Sequence, residues 1–137
     1  MHEWALAESI ISAAVHEMKK NHLKTLKEIT IQIGELQQIE RDIFRFALKE
    51  IMNEKHMTSK NIKLHIKTER ARLRCIRCGY SWGLHEILQN TTADEAEAIH
   101  FIPEVALVHT RCPHCGSPDF EIKKGRGVTI TSLKGTG

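Results

Sequence analysis

Four cysteines fall in two pairs, Cys75-Ile76-Arg77-Cys78-Gly79 and Cys112-Pro113-His114-Cys115-Gly116. Each pair is a CxxC with a glycine directly behind it. Two residues between the sulfurs let one tight turn aim both at a single ion, and the glycine accepts the positive φ such a turn demands. Two such turns supply four thiolates, the number a tetrahedral Zn(II) takes in a closed structural site. Iron suits the same four sulfurs. A redox dithiol or two disulfides would also use paired cysteines. Matching glycines speak against the first, and the absence of any secretory feature against the second. None of the four cysteines is left over.

The other candidate is His2. A free α-amine, the following amide nitrogen and the His2 imidazole can close five- and six-membered chelate rings on one ion. Nitrogen donors in a plane suit Ni(II) or Cu(II). Histidine is a bulky second residue, so Met1 should be retained and its amine becomes the terminal donor. Glu3 could add a carboxylate oxygen or its own amide nitrogen. On spacing alone, the ordinary alternative is a frayed end with a solvated histidine.

The remaining histidines carry less. His114 lies inside a cysteine pair whose site four thiolates already complete. His85, His100 and His109 lie between the pairs and could lend a donor to a second ion, though a solvated or structural role is the default for each. His65 faces out from a strand, and His16, His22 and His56 read as surface residues. Lys63, Lys67, Arg70, Arg72, Arg74 and Arg77 would suit a nucleic-acid face, as in many zinc ribbons. Aromatic residues are only 5% of the chain, too few to stack many bases, so a solvated strand face is the better reading. No nucleophile–base pair, P-loop or HExxH is present, which argues against an enzyme.

The elements that must position these groups follow from periodicity. Apolar residues at three- and four-residue spacing (Trp4, Ala7, Ile11, Ala14, Met18) predict a helix over 5–21. Ile29, Ile31 and Ile33 alternate with Thr30 and Gln32, predicting a half-buried strand that Gly34 ends. Ile43, Phe44, Ala47, Leu48, Ile51 and Met52 mark one face of a second helix over 40–56. A second strand through Ile62, Leu64 and Ile66 runs on to the first cysteine pair. Phe120 and Ile122 begin another extended piece. Gly125-Arg126-Gly127 is a turn signal, and Val128, Ile130 and Leu133 form a third strand before a loose tail from Lys134. Between the cysteine pairs stand 33 residues, 79–111, where a zinc ribbon has ~15–20. An insert that long should carry structure. Thr92-Ala93-Asp94-Glu95 has capping-box spacing for a short helix to His100, and 105–108 could be a strand.

The expected fold is therefore α+β: a small mixed three-stranded sheet with two helices, plus an inserted zinc-ribbon-like domain. The boundaries would be 1–72 and 119–137 for the first part and 73–118 for the cysteine part. At 137 residues, 41% apolar and 27% charged, the composition is that of a soluble globular chain. A net charge of +3 is too small to imply nucleic acid by itself. No basic stretch leads into an apolar core at the amino end, and no run approaches the ~20 apolar residues that span a bilayer. With reduced cysteines, that points to the cytoplasm.

Three stretches, taken in order, resemble the HypA family of [NiFe]-hydrogenase maturation factors. They are Met1-His2-Glu3 running into Trp4-Ala5-Leu6-Ala7-Glu8-Ser9-Ile10, then Ile33-Gly34-Glu35-Leu36, then the paired CxxCG unit with Cys112-Pro113-His114-Cys115-Gly116-Ser117 and the late Ile130-Thr131-Ser132-Leu133. The resemblance implies a nickel metallochaperone with His2 and the Met1 amine on Ni(II), Glu3 assisting, and structural zinc on Cys75, Cys78, Cys112 and Cys115. It implies a nickel-handling GTPase and the hydrogenase large-subunit precursor as partners, with urease served by some relatives, and a monomer or weak homodimer. The chain departs from the family pattern at Gly127-Val128, where an acidic residue and a leucine are expected. It departs again in the long insert, which resembles archaeal members and carries His100 as a further candidate nickel donor. The rival reading is a zinc-ribbon module for nucleic acid or protein interaction.

Overall fold

The computed structural model describes residues 2–37, 39–55, 62–89, 91–102, 105 and 110–137, the side chains of His2, His100 and Phe101 excepted. In chain order the elements are α1 (His2–Lys20), β1 (Thr25–Gly34), a 3-10 turn (Glu35–Gln37), α2 (Arg41–Glu54), β2 (Lys63–Glu69), β3 (Arg72–Cys75), β4 (Ser81–Trp82), α3 (Leu84–Gln89), α4 (Ala93–Phe101), β5 (Phe120–Lys124) and β6 (Val128–Thr136). The strands form two three-stranded sheets, β2-β1-β6 and β4-β3-β5. By compactness the chain divides into one unit of Met1–Gln32, Ile39–Lys67 and Val128–Gly137, and another of Ile33–Gln38 and Thr68–Gly127. The boundaries expected at 72/73 and 118/119 fall inside the second unit, because β5 pairs with β3. None of the helices searched among the described residues is long and apolar enough to cross a membrane.

In the first unit, α1 buries Ala7, Ile10, Ile11, Ala14 and Met18, and α2 buries Phe44, Ala47, Leu48, Ile51 and Met52. Both sets repeat at helical spacing, so each helix offers one apolar stripe. Helix α1 packs against α2 and β6. It begins at His2, three residues ahead of expectation. Glu3 explains part of this, since a carboxylate in the first turn meets the positive end of the helix dipole. The helix ends in a Schellman motif: Leu23 N–H donates to Met18 O (2.8 Å) and His22 N–H to Lys19 O (3.2 Å). His22 takes the left-handed position at φ 57°, which usually belongs to glycine.

In β1, Ile29, Ile31 and Ile33 are buried as the alternation requires, and Leu26 and Thr30, on the opposite face, are buried too. A central strand covered on both faces explains that extra burial. Two expectations fail here. The second strand does not run unbroken to the first cysteine pair: it stops at Glu69, and β3 begins at Arg72. The tail is not loose as far as Thr136. Lys24 N–H donates to Thr136 O at 2.8 Å. Gly135 lies so close to β1 that a Cβ would stand 2.2 Å from the Thr25 carbonyl oxygen. Only a residue without a side chain permits that approach.

The second unit is built on antiparallel pairs. Leu73 faces Trp82 in β4 and Ile122 in β5, and Cys75 faces Phe120. Its core joins Leu36, Ala71, Leu73, Cys75, Trp82, Ile87, Ile99, Cys112 and Phe120, with Leu84, Val105 and Ile122 packed against them. Thr92 caps α4, its Oγ1 accepting from Glu95 N–H at 3.1 Å, as its spacing predicts. Of the strand expected at 105–108, residues 106–108 lie outside those described. The Ile33-Gly34-Glu35-Leu36 stretch gains a physical role. Gly34 lies where a Cβ would come 2.2 Å from Gly125 O, Glu35 Oε1 accepts from Ala71 N–H at 3.0 Å, and Leu36 enters the core.

Candidate metal centre

The two cysteine turns are built on one hydrogen-bond template. In the first, Cys78 N–H points to Cys75 Sγ at 3.4 Å. Gly79 N–H donates to Cys75 O (2.9 Å) and Cys75 N–H to Tyr80 O (2.8 Å). In the second, Cys115 N–H points to Cys112 Sγ at 3.4 Å. Gly116 N–H donates to Cys112 O (2.9 Å) and Cys112 N–H to Ser117 O (3.0 Å). The glycines close both turns at φ 81° and 77°. Each turn buries its first cysteine and exposes its second.

The four sulfurs lie within 4.8 Å of one another, with Cys75–Cys115 and Cys78–Cys112 both at 3.6 Å. A tetrahedral ion with bonds of ~2.3 Å sets its sulfurs about 3.8 Å apart. The donor set and spacing therefore fit a tetrahedral thiophilic dication. Electrostatics agree. Burial opposes ionisation of Cys75, but the N–H bonds from Cys78 and Arg77 and the Cys115 thiol outweigh it and bring it down to about 6. At Cys78, the Tyr80 N–H favours the thiolate, yet burial and the three neighbouring sulfurs push it up to about 12. Cys112 is lowered and Cys115 raised in the same way. Four thiolates in one place need a cation before all can ionise.

Exposed Tyr80 stacks on His114 at 5.7 Å and on buried Trp82 at 6.3 Å, so His114 serves as a ring against Tyr80. Spacing could not show this, because Tyr80 follows its turn by two residues and gains its neighbour only when the second turn closes. Lys63, Lys67, Arg70, Arg72, Arg74 and Arg77 are all exposed, as a solvated face requires.

The sequence-derived nickel residues are placed less completely. Met1 lies outside the described residues. His2 opens α1 and His100 lies in the last turn of α4, both with side chains outside those described. Glu3 is buried, 3% exposed, and its Oε1 accepts from Glu40 N–H at 3.3 Å. Burial works to raise its carboxyl, but the hydrogen bonds it accepts hold it below the ordinary range. His85 meets Gln89 at 3.1 Å and His65 meets Glu28 at 2.7 Å. His56 and His109 lie outside the described residues. Among the described residues, the four cysteines are the one group of three or more ligating side chains close enough to share an ion.

The family whose description reads "Hydrogenase/urease nickel incorporation, metallochaperone, hypA" matches residues 1–135. The chain belongs to the HypA family. Among similar proteins, the hydrogenase maturation factor HypA of Pyrococcus abyssi is 38% identical over 98% of this chain and 95% of its own length. That of Thermococcus onnurineus is 39% identical over the same shares. The solution structure of the Ni metallochaperone HypA from Helicobacter pylori shares the fold, with a TM-score of 0.62 at 22% identity over 99% of this chain and 98% of that one. Membership of a nickel-incorporation family speaks against the nucleic-acid rival.

Proposed function

We propose that this HypA chain carries Ni(II) on its amino terminus for [NiFe]-hydrogenase maturation and holds a structural Zn(II) on Cys75, Cys78, Cys112 and Cys115. The family match along residues 1–135 carries the reading. The Met1 amine, His2 and the amide nitrogens that follow are the nickel donors. Because α1 starts at His2, these amides lie in the first turn, whose N–H groups are not used by the helix ladder. The buried Glu3 carboxylate, tied to Glu40 N–H, holds that turn, so Glu3 would serve nickel through its backbone nitrogen. His100 remains a further candidate. The first compact unit then handles nickel and the second is shaped by zinc. The site lies in the cytoplasm, the partners are the maturation GTPase and the hydrogenase large-subunit precursor, and no catalysis is required.

Terminal amine and imidazole must both be unprotonated to bind, with ordinary values of ~7.7–8.0 and ~6.5, and each coordinating amide releases its proton as the metal binds. Nickel affinity therefore falls steeply as pH drops below about 6.5. Calorimetric titration of wild type and His2→Ala with Ni(II) tests the site. The variant should lose tight uptake, and an unchanged isotherm removes the terminus from the mechanism.

A further inference from the structure

Three large apolar side chains near the start of the chain stay in water: Trp4 (43% exposed), Ile43 (46%) and Phe46 (58%). Helical periodicity counts Trp4 and Ile43 among core-facing residues, and the fold does not bury them. They form one patch rather than scattered residues. The Trp4 and Phe46 rings meet edge to face, 6.2 Å apart at 75°, so α1 and α2 contribute together. Ile43 lies one turn before Phe46 on the same side of α2. Contiguous apolar surface with a polar rim marks an interaction site, whereas single exposed residues do not.

The rim has a sign. One turn from Phe46 lie Asp42, Lys49 and Glu50, and one turn from Trp4 lies Glu8; all four are exposed. Arg45 and Arg41 point more than a quarter turn away around α2, and Arg45 Nη1 donates to Leu64 O at 3.2 Å. Three carboxylates to one ammonium call for a basic surface opposite, which also speeds encounter. The patch adjoins the terminus: Trp4 follows His2 by two residues of α1, about 3 Å along the helix axis.

We propose that Trp4, Ile43 and Phe46 form the docking knob for the protein that exchanges nickel with the amino terminus, a partner offering an apolar recess rimmed by basic side chains. The proposal rests on the nickel reading above. A metal held by these terminal nitrogens can pass directly only if the recipient's ligands come within bonding distance, and a protein seated on Trp4 covers that end.

The test uses the full-length chain and the maturation GTPase as probe. Phe46→Ala opens no cavity at an exposed site, and alanine favours the helix. It should weaken GTPase association at least about tenfold, the loss expected of an aromatic hot spot, while the Ni(II) isotherm matches wild type. Glu50→Lys should slow association and reduce its salt dependence. A GTPase that binds wild type and Phe46→Ala alike, or binds neither, overturns the docking surface. So does a wild-type dimer that Phe46→Ala disperses, since the knob would then seat a second copy. Wild-type nickel uptake is scored separately. Its absence removes the metallochaperone reading, whereas intact uptake with undiminished GTPase binding removes the knob alone.

Discussion

The two compact units solve the same problem with different means. The first closes on a conventional interior, where Ile10, Ile11, Ala14 and Met18 of α1 and Phe44, Leu48, Ile51 and Met52 of α2 are buried together with Leu26, Ile29 and Ile31 of β1. The second has a smaller interior, and two of its members are Cys75 and Cys112. Its core therefore includes metal ligands as packing elements. Short strands of four, two and five residues and helices of six and nine give it little ladder of its own. On the proposed zinc reading, the ion stands in for hydrophobic area where the elements are too short to supply enough.

The largest effect should come from removing a ligand in the second unit. Cys112→Ser should abolish tight zinc binding, whose apparent energy in small peptides reaches ~10–16 kcal/mol, and melt the second unit. Amide resonances of α1, α2 and β1 should stay dispersed. Collapse of the whole spectrum would end the distinction between the units. The complementary cut is Phe44→Ala, at a fully buried site on α2. It should destabilise the first unit by about 3–5 kcal/mol in a chemical melt followed at α1. The Co(II)–thiolate absorption of the cysteine cluster should persist through that transition. Coincident loss of both signals would mean that one cooperative unit spans the chain.

The smallest effect sharpens the comparison by pH. Glu28 on β1 bridges to His65 on β2 at 2.7 Å and to Lys134 on β6 at 3.7 Å. The His65 hydrogen bond, against a burial cost, and the Lys134 charge hold its carboxyl below the ordinary 4.5. A lowered acid contributes stability above its ordinary value and loses it as pH falls through the folded value. The melting difference between wild type and Glu28→Gln should be full above about pH 5 and close as pH drops below 4.5. A difference that does not change with pH would show that this three-strand ladder carries no weight.

Much of this architecture can be read from residue patterns, and the failures share a cause. Cysteine spacing, strand alternation at Ile29–Ile33 and the Thr92 cap are local, so the chain states them directly. Which sheet a strand joins is not local: Phe120 and Ile122 show an extended pattern, but only pairing with β3 puts them in the second unit. Periodicity places Trp4 and Ile43 on an apolar face without knowing how wide a stripe the neighbouring helix covers. The tail Lys134–Thr136 reads as loose because glycine and lysine are poor strand formers. Its order depends on a close backbone approach at Gly135 that no one-dimensional pattern encodes. The proposed nickel donors are half legible: a terminal amine beside His2 reads as a chelate from residue types, but only the family resemblance favours that over a solvated end.

The repeated template of the cysteine turns has a dynamic implication. Most amides of each turn are met within that turn, but Ile76 N–H donates to Asp119 O at 2.9 Å and Cys75 pairs with Phe120, so the chain after the second turn is tied back to the first. A cation that leaves should then find the two sulfur pairs still held near each other, and rebinding needs little rearrangement of the chain.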